Sequence, residues 1–157
     1  FSLSEDSIIC APLIPSLEDV ELKSNIFTHT NENHNFSTIL FDPVIKKGIV
    51  RFEVLSISNL TKVGIADESV RYNRKEAPDA RGCDKVVEYD WCIGMFHSGG
   101  NWIKGNDKYY NGDRIAMEVF GHEFHATYLD ILRKRCGAKE LCSKRSRCSK
   151  ILCSFYA

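Results

Sequence analysis

The sequence predicts an all-β protein, an antiparallel β-sandwich with a basic, cysteine-rich tail. Three observations carry this. Short runs of β-branched and aromatic residues recur at a spacing of about 8–12 residues. Turn residues punctuate them, and helical periodicity is nearly missing before residue 120. The 157 residues, 43% apolar and 27% charged, have the composition of one ordinary globular domain.

Residues 1–21 read as an irregular N-terminal arm, because Pro12 and Pro15 break any helix there. The chain begins at Phe1 rather than Met, which leaves room for sequence before it. Asn25–Thr30 alternates and reads as a strand. Phe36–Phe41 is a second, ended by Asp42-Pro43. Gly48–Ser56 alternates Val50, Phe52 and Val54 with Ile49, Arg51 and Glu53, the pattern of a strand with one polar face. Leu60–Ala66 follows, interrupted by Gly64. Asp67–Asp84 is polar, holds Pro78 and Gly82, and reads as a long loop of the kind that often carries function. Lys85–Phe96 holds β formers for two strands. Ser98–Asn101 is a turn, and Trp102-Ile103 and Lys108–Tyr110 are short edge-like pieces. Asn111-Gly112-Asp113 is the strongest turn signal and launches the alternating Arg114–Phe120.

The tail differs in kind. Residues 1–119 carry 13 Lys/Arg and 18 Asp/Glu, whereas residues 120–157 carry 8 and 3, so a net charge of zero conceals halves of −5 and +5. Four of the seven cysteines, Cys136, Cys142, Cys148 and Cys153, lie in those last 38 residues. His125–Cys136 fits an amphipathic helix, and the rest of the tail has no visible core pattern.

Three motifs occur in strand-compatible order. Gly48 with Phe52-Glu53-Val54 fills a G…F-E-V strand, Gly64-Ile65-Ala66 a G-I-A strand, and Gly112-Asp113 with Ile115 and Val119 a G-D-x-I strand. Together they resemble the SPRY domain over residues 22–119. The resemblance implies a β-sandwich that recognises a protein or peptide through loops at one end, without catalysis or a cofactor. Gly48 and Gly112 are expected at turns that favour positive φ, and Asp113 is expected to bond its own turn. Phe52, Val54, Val63, Ile65 and Ile115 are expected in the core.

The resemblance stops at Phe120, where the family would supply its final strands. Read one base later, the degenerate codons from Phe120 onward permit L-D-M-N-S-T-P-R-T-L-T-F-F, a string of the family's type. Residues 120–157 therefore read as a frame-shifted translation, and a sandwich lacking those strands should be poorly folded or aggregation-prone. A product of a disrupted gene, without function of its own, is the corresponding alternative.

Other motifs have plainer readings. His122 and His125 are three apart, whereas a zinc-protease helix places its histidines four apart. The tail cysteines form no C-x₂₋₄-C pair, so no metal site is assigned. Lys144-Arg145-Ser146-Arg147 reads as a solvated basic stretch, and zero net charge argues against a nucleic-acid or membrane partner. Cys92, in an alternating run, reads as a packed side chain. Asn35-Phe36-Ser37 and Asn59-Leu60-Thr61 match a glycosylation pattern that is common by chance. No catalytic constellation is visible, and a cytoplasmic location is expected. The candidate binding surfaces are the Asp67–Asp84 loop and the 98–106 loop, with Trp102 as a candidate anchor. Asn101, Asn106, Asp107 and Asn111 keep a lectin-like carbohydrate binder as the alternative.

Overall fold

The computed structural model describes residues 10–30, 34–93, 95–98, 100–103, 107–121, 127–133, 142–144 and 149–156. They form thirteen strands: β1 (Ala11–Leu13), β2 (Val20–Lys23), β3 (Ile26–His29), β4 (Ser37–Ile45), β5 (Gly48–Leu55), β6 (Leu60–Asp67), β7 (Val86–Asp90), β8 (Met95–Ser98), β9 (Asn101–Ile103), β10 (Arg114–Gly121), β11 (Thr127–Arg133), β12 (Cys142–Lys144) and β13 (Ser149–Phe155). Two 3-10 turns, Pro78–Arg81 and Cys83–Lys85, precede β7. The strands build a seven-stranded sheet, β1-β4-β13-β6-β7-β8-β9, a four-stranded sheet, β12-β11-β10-β5, and the β2-β3 hairpin, with every pairing antiparallel.

Period-two alternation makes the core. Ile39 and Phe41 of β4, Val63 and Ile65 of β6, Val87 and Tyr89 of β7, and Ile151 and Cys153 of β13 meet Ile115, Met117 and Val119 of β10 between the sheets. Gly48 (φ 81°) and Gly112 (φ 89°) occupy the turns that need them. Asp113 Oδ2 accepts from the Tyr110 N–H at 2.8 Å, closing its own turn as expected. The β2–β3 hairpin turns on Ser24 (φ 46°) and Asn25 (φ 66°), the paired left-handed conformation of a two-residue type I′ turn.

Val63, Ile65 and Ile115 are buried, but Phe52 and Val54 are only half-buried. The reason is topological, since β5 ends its sheet among the described residues and an open cleft lies beside it. Three further expectations are corrected. The N-terminal arm is not irregular throughout, because β1 pairs with β4 and β2 with β3. Strand β4 runs on through Asp42-Pro43 to Ile45. Lys108–Tyr110 forms no strand, and Tyr109 is instead buried against Tyr89, with ring centroids 5.4 Å apart.

The largest correction concerns the tail. Thr127–Arg133, expected within a helix, is β11 and pairs with β10. Ser149–Phe155 supplies a final strand that was expected to be missing, and β13 enters between β4 and β6. Its alternation is present on close reading. Ile151 and Cys153 enter the sandwich core, while Lys150, Leu152 and Ser154 take the opposite face.

Burial pushes the Cys153 thiol up to about 12. A thiol held in a central strand is inert to reagents that attack thiolates. In the folded protein Cys153 is expected to be alkylated only as fast as the protein unfolds, and Cys10, partly exposed, much sooner. Peptide mapping after timed alkylation checks this, and labelling of Cys153 at the rate of a free cysteine would show that β13 is not docked.

Gly64 marks another constraint. A Cβ there would collide with the Val87 carbonyl oxygen and approach Glu88 Cα to 2.9 Å, both backbone of the neighbouring strand. Gly64→Ala is expected to cost roughly 1–3 kcal/mol, as overpacking does elsewhere. A urea melt of the variant beside the wild type measures it.

Candidate interaction surface

The outer face of the seven-stranded sheet is unusually polar for a covered surface. One cross-strand row runs Leu13, Leu40, Leu152, Gly64, Glu88, His97, Trp102 from β1 to β9. Glu88, 1% exposed, accepts from Lys62 Nζ at 2.5 Å. Lys150, 2% exposed, reaches Asp42 Oδ1 at 2.7 Å. Thr38 and Ser154 share a hydrogen bond of 3.2 Å beside them.

The 68–85 segment covers this face. Val70 packs with Leu40, Ala66, Val86 and Leu152, and Tyr72 lies against the same cluster. Tyr72 donates to the Pro78 carbonyl at 2.6 Å, and burial holds its hydroxyl far above the usual phenol range. Thr38 Oγ1 donates to the Glu76 carbonyl at 2.7 Å. Arg81 grips Glu76 through two hydrogen bonds of 2.9 and 2.8 Å. Arg74 binds Asp19 in a fork, Nε to Oδ2 at 2.7 Å and Nη2 to Oδ1 at 2.8 Å, and reaches Glu18 at 2.6 Å. Of the two loops nominated by sequence, this one is therefore heavily committed to covering the sheet.

The other end of the sheet is different. Trp102 lies in β9, the terminal strand, and is 47% exposed. The turn between β7 and β8 exposes Trp91 and Ile93, and Ile103 is exposed beside Trp102. Register explains the grouping. Ile103 pairs with Phe96 and Phe96 with Tyr89, one step from the Asp90–Met95 pair that closes the β7–β8 turn. The register thus sets Trp102 in the outer row with Glu88 and Ile103 in the alternate row with Tyr89, both at the β7–β9 end of the sheet.

That corner is held firmly. Asp90 Oδ1 accepts from the Cys92 and Ile93 N–H groups at 2.9 and 3.3 Å, an Asx turn. The Trp91 N–H donates to the Thr61 carbonyl at 3.0 Å. Tyr89 donates its hydroxyl proton to the Asp107 carbonyl, and buried Tyr109 packs beneath. The sequence nominates Trp102 but not Trp91 or Ile93, because D-W-C-I continues an alternating run. The signal was Asp90 placed to start an Asx turn.

Cys92 is partly buried, with its thiol held above the ordinary range first by its contact with Asp90 and then by burial. That is the opposite of an activated nucleophile. Among the described residues, no three His, Cys, Asp or Glu side chains are grouped to hold a metal ion. His122, His125, Cys136 and Cys148 lie outside the described residues, as do Asn106 of the lectin-like cluster and Lys144-Arg145-Ser146-Arg147 beyond the β12 backbone. No helix among the described residues is long and apolar enough to cross a membrane.

A second feature lies at the opposite edge of the sandwich. An open cleft of about 680 Å³ runs beside β5, lined by Cys10, Pro12, Ile26, Phe27, Phe52 and Phe155 among others. Phe27 stacks edge-on to Phe41 at 5.7 Å, and Phe41 meets Phe52 at 5.1 Å.

This architecture is that of SPRY domains. No protein-family model matches the chain, and no curated protein matches it in sequence. Solved structures do. The chain is similar to the SPRY domain of human HERC1, at 13% identity and a TM-score of 0.59, over 83% of this chain and 80% of that one. A human SPRY domain superposes with a TM-score of 0.68 at 12% identity, over 88% and 89%. The PSpry domain of TRIM65 does so at 0.55 and 8%, over 89% and 84%. Identities this low establish a common fold.

The Arg74–Asp19 fork generates a pH prediction. Hydrogen bonding from Arg74 holds the Asp19 carboxyl below its ordinary value. Its contribution to stability is therefore complete above the unfolded carboxylate pKa, about 3.9, and disappears as pH falls through the lower folded value. The stability difference between wild type and Asp19→Asn should be constant near pH 6 and shrink below about pH 4. Urea melts across that range measure it.

Proposed function

We propose that this chain is a non-catalytic protein-interaction domain that recognises a peptide or protein at the β7–β9 corner, with Trp102 as its anchor. The observation that carries the reading is the exposure of Trp91, Ile93 and Trp102 at the β7–β9 end of the sheet, beside a turn held by the Asp90 carboxylate and by the Trp91 N–H on the Thr61 carbonyl. Aromatic side chains on a pre-organised frame supply contact area at small entropic cost, and such residues dominate interface energetics. The polar rim of Asp107, Lys108 and Tyr110 supplies exposed groups for orientation. The fold shared with SPRY domains supports the same class of function, and the four unpaired cysteines among the described residues suit a reducing, cytoplasmic setting.

The test is a peptide-display selection on the full chain, followed by calorimetric affinities for the enriched peptides. Trp102→Ala should weaken binding at least tenfold, the usual loss for an anchoring aromatic. Because Trp102 is half exposed, its melting temperature should stay within about 1–2 °C of wild type. Unchanged affinity in Trp102→Ala, or no enriched peptide, removes the corner as the binding site.

A further inference from the structure

We infer that β5 is a self-association edge, by which two copies of this chain pair antiparallel about a two-fold axis at Phe52. The inference begins with the edges of the two main sheets. Strands β1, β9 and β12 end them and are three residues long each. Short edges offer little to an incoming strand, and β1 adds Pro12. β5 is eight residues long, contains no proline or lysine, and keeps continuous register with β10 without a bulge. Among the described residues it has β10 as its one hydrogen-bonded neighbour. Alternate residues along β5 therefore aim N–H and C=O groups away from the sheet.

The sequence of this edge is complementary to its own reverse. In Ile49-Val50-Arg51-Phe52-Glu53-Val54-Leu55, antiparallel pairing centred on Phe52 sets Ile49 opposite Leu55 of the second copy. Val50 then meets Val54, and Arg51 meets Glu53. Two-fold symmetry makes each pairing occur twice. Directly opposed apolar pairs and opposite charges are the favourable cross-strand combinations. The outward members are the exposed ones: Ile49 is 67% and Leu55 50% exposed, large apolar side chains that the monomer leaves in water. Arg51 and Glu53 already lie in an exposed network, with Arg51 at 2.7 Å from Glu53 and 3.4 Å from Glu118, and Arg114 at 3.2 Å from Glu53. Pairing extends that network across the axis. On the inner face, Val50, Phe52 and Val54 are half-buried beside the open cleft, which leaves room at their flank. Two paired strands make a small interface, so a weak dimer, roughly micromolar, is expected.

The experiment is sedimentation velocity on the full chain, with thiols kept reduced, over a concentration series. Glu53→Arg places Arg51 opposite an arginine twice, and Arg51→Glu places Glu53 opposite a glutamate twice. Each variant alone should weaken dimerisation at least tenfold. An equimolar mixture should restore it, because both cross-strand pairs in the mixed dimer are again of opposite charge. Both positions are exposed, and matching thermal melts confirm that the fold is kept. Should either charge variant melt early, Ile49→Asp, at the most exposed position of the strand, removes the outer apolar pair and must weaken the dimer likewise. The inference is overturned if the wild type stays monomeric throughout or associates beyond a dimer. It is equally overturned if the single variants dimerise like wild type, or if the mixture fails to recover.

Discussion

The seven-stranded sheet depends on β13 standing between β4 and β6. A central strand satisfies two ladders at once, so β4 and β6 would both become edges without it. Its side chains serve both faces. Ile151 and Cys153 close the sandwich core, and Leu152 joins the apolar cluster beneath the 68–85 segment. Ser154 ties neighbours together twice, sharing a hydrogen bond with Thr38 and accepting from Thr61 Oγ1 at its carbonyl, 2.9 Å. The last residues of the chain are thus bonded to segments more than 90 positions earlier, and the sheet closes only when both ends are present.

The same strand explains the polar outer face. Lys150 is buried in the middle of a sheet, where an unpaired charge would be strongly destabilising. Asp42 answers it from β4, as Lys62 answers Glu88 across β6 and β7. The 68–85 segment keeps water from this face through Val70, Tyr72 and Thr38's bond to Glu76, and a charge so covered has to be paired. Arg74 then fastens the cover to the N-terminal segment through Asp19 and Glu18.

How far the sequence could be read follows from where its pattern is clean. β5 and β10 alternate without interruption and were legible to within a residue, as were the turns at Gly48 and Gly112. β13 was not. Its seven residues, S-K-I-L-C-S-F, bury a lysine on the covered outer face, and surrounding Arg, Lys and Cys residues drown a short period-two signal. Only the partner Asp42, 108 residues away in sequence, makes Lys150 acceptable there, and no local reading contains it. Trp102 could be nominated because it stands in a Gly-rich loop region, and the structure leaves it 47% exposed. Trp91 and Ile93 were hidden because alternation predicts a strand, whereas the Asp90 carboxylate captures two N–H groups and bends the chain first.

These constraints leave the domain's free surface unevenly distributed. The 68–85 segment covers the outer face of the seven-stranded sheet around Leu40, Val86 and Leu152, and an open cleft remains beside β5. The β7–β9 corner and the β5 edge lie at the ends of different sheets. The corner offers exposed apolar side chains beside a turn held by Asp90, the feature on which the proposed recognition rests. The edge offers mainly backbone, with side chains that complement their own reverse, and so suits a copy of itself. A substitution at Trp102 leaves the β5 backbone untouched, and one at Glu53 leaves the Asp90 turn untouched. The two surfaces are therefore separable by mutation, because no hydrogen-bonded pairing described above connects β9 to β5 within one sheet.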